Sequence, residues 1–263
     1  MLNFLASKIN EYWESLLISI LKNGANLPKR IGVIMDGNRR YAKMKNIKEI
    51  EGHSDGMKTL FNLLKWSISL NIEELTVFAF SIDNFKRSEE EVNNLINLFK
   101  DNFYKFSNNK EAIQAGIKIN IYGKRDLFDN DIQNIFKDIE EKTKNGDKIK
   151  LNVCIGYDST EEVYQALIKC DKNSNNLRKE FESNLYGGYN CNPELLIRTS
   201  GETRLSNYLL YQCRFALIIF VEKKWPELNL FDFFWILLKY NYNYNDHKSK
   251  LKQLEKDNNF IIE

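Results

Sequence analysis

Arginine is scarce in this chain of 263 residues, and most of it lies in three short polar blocks. Residues 36–40 read Asp-Gly-Asn-Arg-Arg, residues 81–87 read Ser-Ile-Asp-Asn-Phe-Lys-Arg, and residues 198–206 read Arg-Thr-Ser-Gly-Glu-Thr-Arg-Leu-Ser. The planar guanidinium group binds phosphate oxygens in a bidentate fork that lysine does not offer. Because lysine is the common cation elsewhere in the chain, these blocks predict a site for phosphorylated ligands.

The first block combines a glycine turn with two arginines at the start of a helical pattern. Such a turn presents free backbone N–H groups at the positive end of the helix dipole, which suits a phosphate. Arg39 and Arg40 oppose that dipole unless an anion binds there. Asp36 adds a hard oxygen ligand for Mg²⁺, which takes one or two carboxylates together with substrate phosphates. The alternative interpretation of this block is a simple helix N-cap.

The other chemical candidates also leave alternatives open. Arg198, Arg204 and Ser206 can hold a second anion, or the arginines can form a surface ion pair with Glu202. His53 begins a predicted helix, where a neutral imidazole in contact with an anion is favoured, although a lone histidine is more often structural. The chain has neither a GxxxxGK[ST] loop nor a strand–GxGxxG–helix pattern, so nothing predicts ATP or NAD. Two cationic blocks indicate two diphosphates or one polyphosphate.

Short apolar strands alternate with amphipathic helices along the chain. Strands are predicted at 31–35, 75–80, 117–122, 150–155, 195–198 and 217–221. Helices are predicted at 2–21, from 38, and at 53–70, 88–106, 131–144, 160–169, 177–185, 206–212 and 231–240, with a Ser88–Glu91 capping box. The alternation is typical of an α/β domain with a six-stranded, mainly parallel sheet flanked by helices. Ligands bind beyond the carboxyl ends of such strands, so the three polar blocks should meet at one edge.

Composition and patterning predict the domain organisation and exclude several classes of protein. We expect one domain at residues 27–263, preceded within residues 1–26 by an amphipathic helix that packs on the domain or docks on a membrane or partner. No apolar run approaches the roughly 20 residues of a transmembrane helix. Four cysteines without metal-ligand spacing and two histidines indicate reduced thiols and no structural zinc. A formal charge of +2 gives no reason to expect nucleic-acid binding.

At the polar blocks the chain resembles the cis-prenyltransferases, the undecaprenyl and dehydrodolichyl diphosphate synthase family. The similarity covers about residues 27–240, and its motifs lie at 35–43, 51–53 (Glu-Gly-His), 80–88, 198–210 and 225–227 (Trp-Pro-Glu). The forms at 39–41 and 81–88 are most similar to the eukaryotic, dolichol-type catalytic subunit. The resemblance implies a transferase that uses Mg²⁺ to join isopentenyl diphosphate repeatedly, with cis geometry, to an allylic diphosphate such as farnesyl diphosphate. It also implies an apolar tunnel for the long polyprenyl product.

The resemblance further implies a role for individual residues. Asp36 would bind Mg²⁺ and assist departure of the allylic diphosphate, and Ser81 and Asn84 would act near the reacting carbons. The implied substrate-binding residues are Gly37, Asn38, Arg40, His53 and Arg87 for the allylic diphosphate, Arg198, Arg204 and Ser206 for isopentenyl diphosphate, and Arg39 and Phe85 in addition.

The sequence also departs from the pattern of this family. Leu217 stands where many homodimeric members have a metal-binding glutamate, and Glu49 and Thr160 stand where arginine is common. Homodimeric members end in an Arg-x-Gly segment that completes the neighbour's active site. No arginine follows Arg214 and no glycine follows Gly201. The resemblance therefore implies a dimer in which a subunit similar to the Nogo-B receptor supplies that motif.

The same resemblance suggests where the protein works. It implies a peripheral protein on the cytoplasmic face of the endoplasmic reticulum membrane, or a cytoplasmic one, in the supply of dolichol for protein glycosylation. The alternative is a non-catalytic partner or scaffold of the same fold that binds polyprenyl lipid. Non-catalytic partners usually lack the blocks found here at 36–38 and 198–202, which disfavours that alternative.

Overall fold

A parallel β-sheet forms the centre of the protein. The computed structural model describes residues 2–171, 174–189 and 191–259, and the side chains from 11 to 250 within those ranges. In this part of the chain six strands form one sheet: β1 Arg30–Ile34, β2 Glu74–Ser81, β3 Ile117–Tyr122, β4 Ile149–Tyr157, β5 Leu195–Arg198 and β6 Leu217–Phe220. Their order is β3-β4-β2-β1-β5-β6, and every neighbouring pair is parallel. The predicted sheet is confirmed, and it is entirely parallel.

Helices occupy the segments between the strands. The α-helices of the described chain are α1 Leu2–Gly24, α2 Asn38–Lys45, α3 Glu49–Ser69, α4 Glu89–Ser107, α5 Lys110–Gln114, α6 Asn130–Thr143, α7 Ser159–Ile168, α8 Leu177–Asn184 and α9 Leu230–Asn259. Polar N-caps fix several starts: the side chains of Ser88, Asp129 and Asp158 each accept a hydrogen bond from a backbone N–H of the first turn. Most predicted helices agree with the structure to within a few residues, but α9 continues 19 residues beyond its predicted end at 240, α5 was not predicted, and one predicted helix does not form.

Side chains of the strands alternate between two apolar layers. Ile31 and Val33 of β1 join the larger cluster, which also contains the inner faces of α3, α4 and α9. Ile34 and Leu196 point to the opposite face, where they pack with Tyr208 in a smaller cluster. Parallel strands covered on both faces are rich in aliphatic residues throughout, as these strands are. The sheet is thus a rigid support whose carboxyl edge holds the polar blocks.

The predicted helix over residues 206–212 is wrong. Ser206, Asn207 and Leu209 have positive φ angles of 49°, 59° and 45°, which a right-handed helix excludes. The segment instead forms irregular turns, and a short 3₁₀ helix follows at Gln212–Phe215. Apolar spacing predicted a helix here because the turns also bury Tyr208 and Leu209.

The first helix packs on the last one. The inner face of α1 buries Leu21 completely, and the backbone N–H of Asn26, just beyond α1, donates to Asn241 Oδ1 of α9 at 2.7 Å. The outer face of α1 exposes Tyr12 and Trp13 by 67% and 54%. Among the described residues, no helix combines the length and apolar character needed to cross a bilayer. One face of α1 therefore belongs to the body of the protein, and the other exposes two aromatic side chains among polar ones.

Candidate active site

A cavity of about 910 Å³ lies at the carboxyl edge of the sheet, where β1, β2 and β5 end side by side. Since β1 lies between two strands reached by connections on opposite sides, this edge is the switch point at which open parallel sheets bind ligands. The predicted site residues that line the cavity are Asp36, Gly37, Asn38, Arg39, Arg40, His53, Ser81, Asn84, Arg87, Arg198, Arg204 and Ser206. Phe85 does not line it.

The turn after β1 depends on Gly37. This residue is the N-cap of α2 and has a φ of 106°, a conformation that favours glycine. A Cβ atom there would lie 2.7 Å from Ser200 Oγ and 2.9 Å from Lys224 Cβ, so space is also insufficient. The turn places Asp36 over the cavity and directs the start of α2, with its free N–H groups and Arg39 and Arg40, toward the same space.

Asp36 joins the first and third polar blocks through two arginines. Its Oδ2 accepts a hydrogen bond from Arg198 Nη2 at 2.8 Å, and its Oδ1 accepts one from Arg40 Nη2 at 3.1 Å. Burial alone raises the pKa of the Asp36 carboxyl, but the hydrogen bonds and charges of Arg198 and Arg40 outweigh burial and hold that pKa below its ordinary value. Asp36 is therefore ionised at neutral pH, as a metal ligand must be.

Arg198 is almost fully buried, with 3% of its surface exposed. Its Nη1 donates to Ser206 Oγ at 2.9 Å and to the carbonyl oxygen of Arg204, while its Nε has no hydrogen-bond partner among the described residues. The turns that approach it include positive φ angles at Ser200 and Ser206, a strained backbone of the kind found at ligand sites. The side chain is thus locked in place with one donor still available.

Glu202 pairs with Arg40 and Arg204, one arginine from the first polar block and one from the third. Its Oε1 lies 2.9 Å from Arg40 Nη1, and its Oε2 pairs with Arg204 Nη1. The ion pair expected as the alternative to anion binding therefore forms. It does not exclude anion binding, because each guanidinium has five N–H donors and the pair leaves several of them unused.

The second polar block is held by a capping box that the sequence did not indicate. Ser81 Oγ accepts from Asn84 N at 3.2 Å, and Asn84 Oδ1 accepts from Ser81 N at 3.0 Å, so the two catalytic candidates are fixed against each other. Phe85 packs edge-on against Phe80, with ring centroids 4.9 Å apart, which turns it away from the cavity. Its place is therefore in the aromatic core beside the block.

Only half of the predicted capping box at α4 is present. Ser88 Oγ accepts from Glu91 N at 3.3 Å. The Glu91 carboxylate pairs instead with Arg87 Nη1 at 2.6 Å and approaches Arg39 Nη1 at 3.7 Å. The start of the helix was predicted correctly, but the Glu91 side chain contacts Arg87 and Arg39 and does not cap the helix.

His53 lies one turn into α3, because that helix begins at Glu49 and not at His53 as predicted. Burial is the main cause that lowers its pKa to about 4; the positive charges of Arg87 and Arg39 add to this effect, and Glu91 opposes it. Its Nε2 is buried without a hydrogen-bond partner in the described chain. The imidazole is therefore neutral at pH 7, as expected, with one ring nitrogen unpartnered.

Three polar residues of the site were missed from the sequence. Thr199 is fully buried, and its hydroxyl donates to the carbonyl oxygen of Asp36 at 2.7 Å. Asn207 lines the cavity and accepts from Thr160 Oγ1 at 3.1 Å. Glu91 holds two arginines, as described above. Ser200 with Gly201, and Ser206 with Asn207, were signals for turns, whereas nothing local indicated the contacts of Glu91.

The donor set fits a magnesium ion that is bound together with a phosphorylated ligand. Within the described ranges, no group of three or more His, Cys, Asp and Glu side chains is placed to hold a metal by itself. Asp36 provides one ionised carboxylate among phosphate-binding donors, and Mg²⁺ commonly takes one carboxylate, substrate phosphates and waters. Leu217, where a second carboxylate is common in the resembled family, is an aliphatic residue of β6 packed beside the larger core.

Comparison with known proteins identifies the family. The sequence model described as putative undecaprenyl diphosphate synthase matches residues 34–247. The human dehydrodolichyl diphosphate synthase complex subunit DHDDS is 36% identical over 95% of this chain and 80% of its own length. A tritrans,polycis-undecaprenyl-diphosphate synthase (geranylgeranyl-diphosphate specific) from Picrophilus torridus is 34% identical over 92% of this chain and 96% of its own length.

Solved structures show the same fold. Lavandulyl diphosphate synthase from Lavandula x intermedia, crystallised with dimethylallyl diphosphate, aligns with a TM-score of 0.75 at 24% identity, over 82% of this chain and 95% of that one. A probable undecaprenyl diphosphate synthase from Campylobacter jejuni aligns with a TM-score of 0.68 at 27% identity over the same shares. The fold and the site thus define a cis-prenyltransferase. The chain belongs to the undecaprenyl and dehydrodolichyl diphosphate synthase family, and the comparisons do not support the non-catalytic alternative.

Proposed function

We propose that this protein condenses isopentenyl diphosphate with an allylic diphosphate, farnesyl diphosphate in the first instance, to build a long polyprenyl diphosphate of the dehydrodolichyl type. The observation that carries this proposal is one cavity lined by five arginines, of which two belong to the start of α2, one to the block after β2 and two to the block after β5. Five guanidinium groups on one cavity provide enough bidentate donors for two diphosphates.

The allylic diphosphate is assigned to the α2 side of the cavity. There the N–H groups of the first turn, Asn38, Arg40 and Arg87 surround a space that also includes the unpartnered Nε2 of His53. A neutral imidazole can donate an N–H hydrogen bond to a phosphate oxygen, and it does not have to take up or release a proton to do so. Arg39 adds a further cation at the rim. These groups stabilise the negative charge that grows on the diphosphate as it departs.

Isopentenyl diphosphate is assigned to the side formed by Arg198, Arg204 and Ser206. The new bond joins the terminal alkene carbon of isopentenyl diphosphate to the allylic carbon, as the allylic C–O bond breaks and inorganic pyrophosphate leaves. The positive charge then lies on C3 of the isopentenyl unit, and a proton is lost from its C2, so that the new double bond forms between C2 and C3. Ser81 and Asn84 are fixed by their mutual hydrogen bonds at the end of β2, where they orient the reacting carbons and their surroundings.

Asp36 is the residue to which we assign Mg²⁺. When bound, the ion supplies positive charge that neutralises the departing diphosphate. The protein's own contribution is to keep Asp36 ionised and fixed, because Arg198 and Arg40 hold its two oxygens in one orientation. Thr199 fixes the backbone of the same residue through its carbonyl oxygen.

An apolar route leads from the polar cavity into the protein. Met35, His53, Phe78 and Ala79 line both the polar cavity and a second, largely apolar one, while Met35, Ala79 and Phe99 also line a third. The third cavity is enclosed by apolar side chains of α3, α4 and β4, with Asn102 the one polar residue of its lining. Each inner cavity measures about 40 Å³, so a growing hydrocarbon chain must widen the space between α3 and α4. This arrangement supports the proposed product tunnel.

An exposed apolar face next to the cavity supports the proposed partner subunit. Tyr164, Leu167 and Ile168 of α7 are each more than half exposed and lie on one side of that helix. The first turn of α7 contacts Asn207, which lines the cavity. A subunit bound there would lie beside the active site, in position to supply the Arg-x-Gly segment. The human relative named above is itself described as a subunit of a complex.

The exposed aromatic residues of α1 support peripheral contact with a membrane. Tyr12 and Trp13 combine an apolar ring with a polar group, a combination that suits the interface of a bilayer. We therefore assign α1 to a membrane surface, and the similarity to the human DHDDS subunit suggests the cytoplasmic face of the endoplasmic reticulum as that membrane. Binding of the purified chain to neutral lipid vesicles, lost on Trp13→Ser, tests the assignment; equal binding by both proteins contradicts it.

The substrates are tested with labelled isopentenyl diphosphate, Mg²⁺ and lipid. Farnesyl, geranylgeranyl and dimethylallyl diphosphate are compared as acceptors, with and without a Nogo-B-receptor-like subunit, and the products are separated by chain length. The proposal expects farnesyl diphosphate to be extended into a narrow range of long products. Preference for dimethylallyl diphosphate, with products that stop after one addition, would overturn it.

A further inference from the structure

Glu91 is the one carboxylate that contacts both Arg39 and Arg87 in the described structure. Its Oε1 lies 2.6 Å from Arg87 Nη1, and its Oε2 lies 3.7 Å from Arg39 Nη1. The Arg87 and Glu91 side chains are only 23% and 16% exposed, so solvent screens their contact weakly, whereas Arg39 is 51% exposed. Both arginines line the large cavity, whereas Glu91 lies behind them. One side chain therefore competes with a cavity anion for one terminal nitrogen of each of two arginines, and its charge opposes an anion at their other donors.

A diphosphate and Glu91 make the same kind of contact with these arginines. Charge-assisted N–H···O bonds to a carboxylate and to a phosphate have similar length and strength. An anion bound by Arg39 and Arg87 also lies within the range over which a negative charge on Glu91 repels it. The carboxylate thus lowers the affinity of the site for a diphosphate, although it keeps the two guanidinium groups together.

A further cavity, separate from the two small apolar ones, lies beside Glu91 and can accommodate its side chain. It measures about 350 Å³ and adjoins the large cavity at His53 and Glu49. Glu91 and Lys48 both line it. A rotation of the Glu91 side chain away from the arginines would lead it into this space, whose lining offers the Lys48 ammonium group as a partner alongside the carboxylates of Glu49 and Glu90.

We propose that Glu91 is a positioning residue that exchanges Arg39 and Arg87 with the diphosphate. It holds the two arginines together before the diphosphate binds, and it takes them back when inorganic pyrophosphate leaves. This inference rests on the proposed function, because it assigns the α2 side of the cavity to the allylic diphosphate. As a consequence, Glu91 favours release of pyrophosphate after each addition, and it lowers the affinity of the site for the allylic diphosphate.

The test is the binding of inorganic pyrophosphate with Mg²⁺, measured by calorimetry on the purified full-length protein. Glu91→Gln keeps the shape of the side chain and removes its charge, and we expect it to bind pyrophosphate about three- to tenfold more tightly than the wild type. Glu91→Asp moves the carboxylate back by one methylene and should give an intermediate gain. Glu89→Gln removes an exposed charge from the same helical turn and should leave the affinity unchanged.

The direction in which Glu91→Gln changes the affinity for pyrophosphate distinguishes exchange from a purely structural role. If Glu91 only orients Arg87, Glu91→Gln weakens pyrophosphate binding, and that result overturns the proposal, as does an unchanged affinity. Should Glu91→Gln fail to fold, the affinity of Glu91→Asp relative to the wild type decides in the same way. In turnover, Glu91→Gln should lower both KM for the allylic diphosphate and kcat, with KM for isopentenyl diphosphate unchanged.

The outcomes also separate this inference from the proposed function. Tighter pyrophosphate binding by Glu91→Gln without incorporation of isopentenyl units would support the exchange and contradict the proposed activity. Incorporation together with an unchanged or weaker pyrophosphate affinity of Glu91→Gln would support the activity and overturn the exchange. No binding of pyrophosphate to the wild type would overturn both.

Discussion

At the scale of single residues, the site is a set of paired opposite charges and not a surface of unpaired cations. Asp36, Glu91 and Glu202 each contact two arginines. The near-zero net charge of the chain therefore hides a local excess of five arginines over these three carboxylates at one edge. The polar blocks predicted that excess together with two of the carboxylates, Asp36 and Glu202, whereas the contacts of Glu91 with the arginines were not predicted.

Asp36→Asn tests the central carboxylate, since it keeps the shape and removes the charge. We expect turnover to fall by at least about 100-fold, because charge stabilisation at the leaving group is lost. Stability at pH 7 should fall by about 1–3 kcal/mol, since buried Arg198 loses its charged partner. The pKa of Asp36 is lowered on folding, so its contribution exists above the ordinary carboxyl pKa and disappears as pH falls through the lowered value.

Denaturant unfolding and steady-state turnover measure these two effects. Asp138→Asn, which removes a surface carboxylate paired with Lys142, is the control and should change neither quantity appreciably. Near-normal turnover of Asp36→Asn would show that the metal and leaving-group role assigned to this residue is mistaken.

His53 predicts a pH dependence of stability. Its pKa is about 4 in the folded protein against an ordinary value of 6.5, so the unfolded chain binds more protons between these values and stability falls as pH drops through that window. From pH 7 to pH 5 this amounts to about 2 kcal/mol. Denaturant unfolding of the wild type and of His53→Gln at both pH values checks it. The same loss in both proteins would show that His53 is not the responsible group.

At the scale of elements, the position of α2 depends on close contact with α3. A Cβ atom on Gly52 of α3 would lie 2.6 Å from the carbonyl oxygen of Asn38 and 2.9 Å from the Ala42 Cβ. Gly52→Ala must therefore push the start of α2 away from its place, and with it the arginines of the first block. We expect a loss of stability of about 1–3 kcal/mol and a clear rise in KM for the allylic diphosphate.

Thermal unfolding together with initial rates checks this prediction. Gly24→Ala, at the end of α1, is the matched control because nothing lies within 4 Å of the added Cβ atom. Its effect on stability should stay below about 1 kcal/mol. If Gly52→Ala binds the allylic diphosphate normally, the contact between α2 and α3 does not set the geometry of the site.

The elements also show how far the sequence determines the fold. Long helices were predictable because each carries a period of 3.6 and buries one face, as α4 does, and strands because each is a short apolar run, as β2 is. The turns at residues 199–209 were not, because their positive φ angles are imposed by tertiary contacts such as the hydrogen bond from Tyr208 to the carbonyl oxygen of Thr76. Gly37 and Arg198 were predictable as site residues, whereas Thr199 and Glu91 act through contacts that only the folded chain brings about.

At the scale of the whole molecule, the protein has two exposed apolar faces on different sides of one core. The face on α7 adjoins the active site and is assigned to a partner subunit, and the face on α1 is assigned to lipid. The proposed product is amphiphilic, because it joins a charged diphosphate to a long hydrocarbon chain. The proposed activity therefore depends on surroundings that the isolated chain does not provide.

Leu167→Lys tests the partner face. Leu167 is 56% exposed, so the change should alter the stability of the isolated chain by no more than about 0.5 kcal/mol. It should abolish co-purification with a Nogo-B-receptor-like subunit and the stimulation of turnover by that subunit. Tyr104→Lys, at an exposed position of α4, should leave both intact. Full stimulation of Leu167→Lys would place the partner elsewhere on the protein.

The most direct test of the central claim is the geometry of the double bonds that the protein makes. The purified chain with its partner subunit, Mg²⁺ and lipid is supplied with farnesyl diphosphate and ¹³C-labelled isopentenyl diphosphate, and the product is examined by NMR. We predict repeated incorporation in which every new double bond is cis and one pyrophosphate is released per unit added. New trans double bonds, or no incorporation under these conditions, would contradict the account.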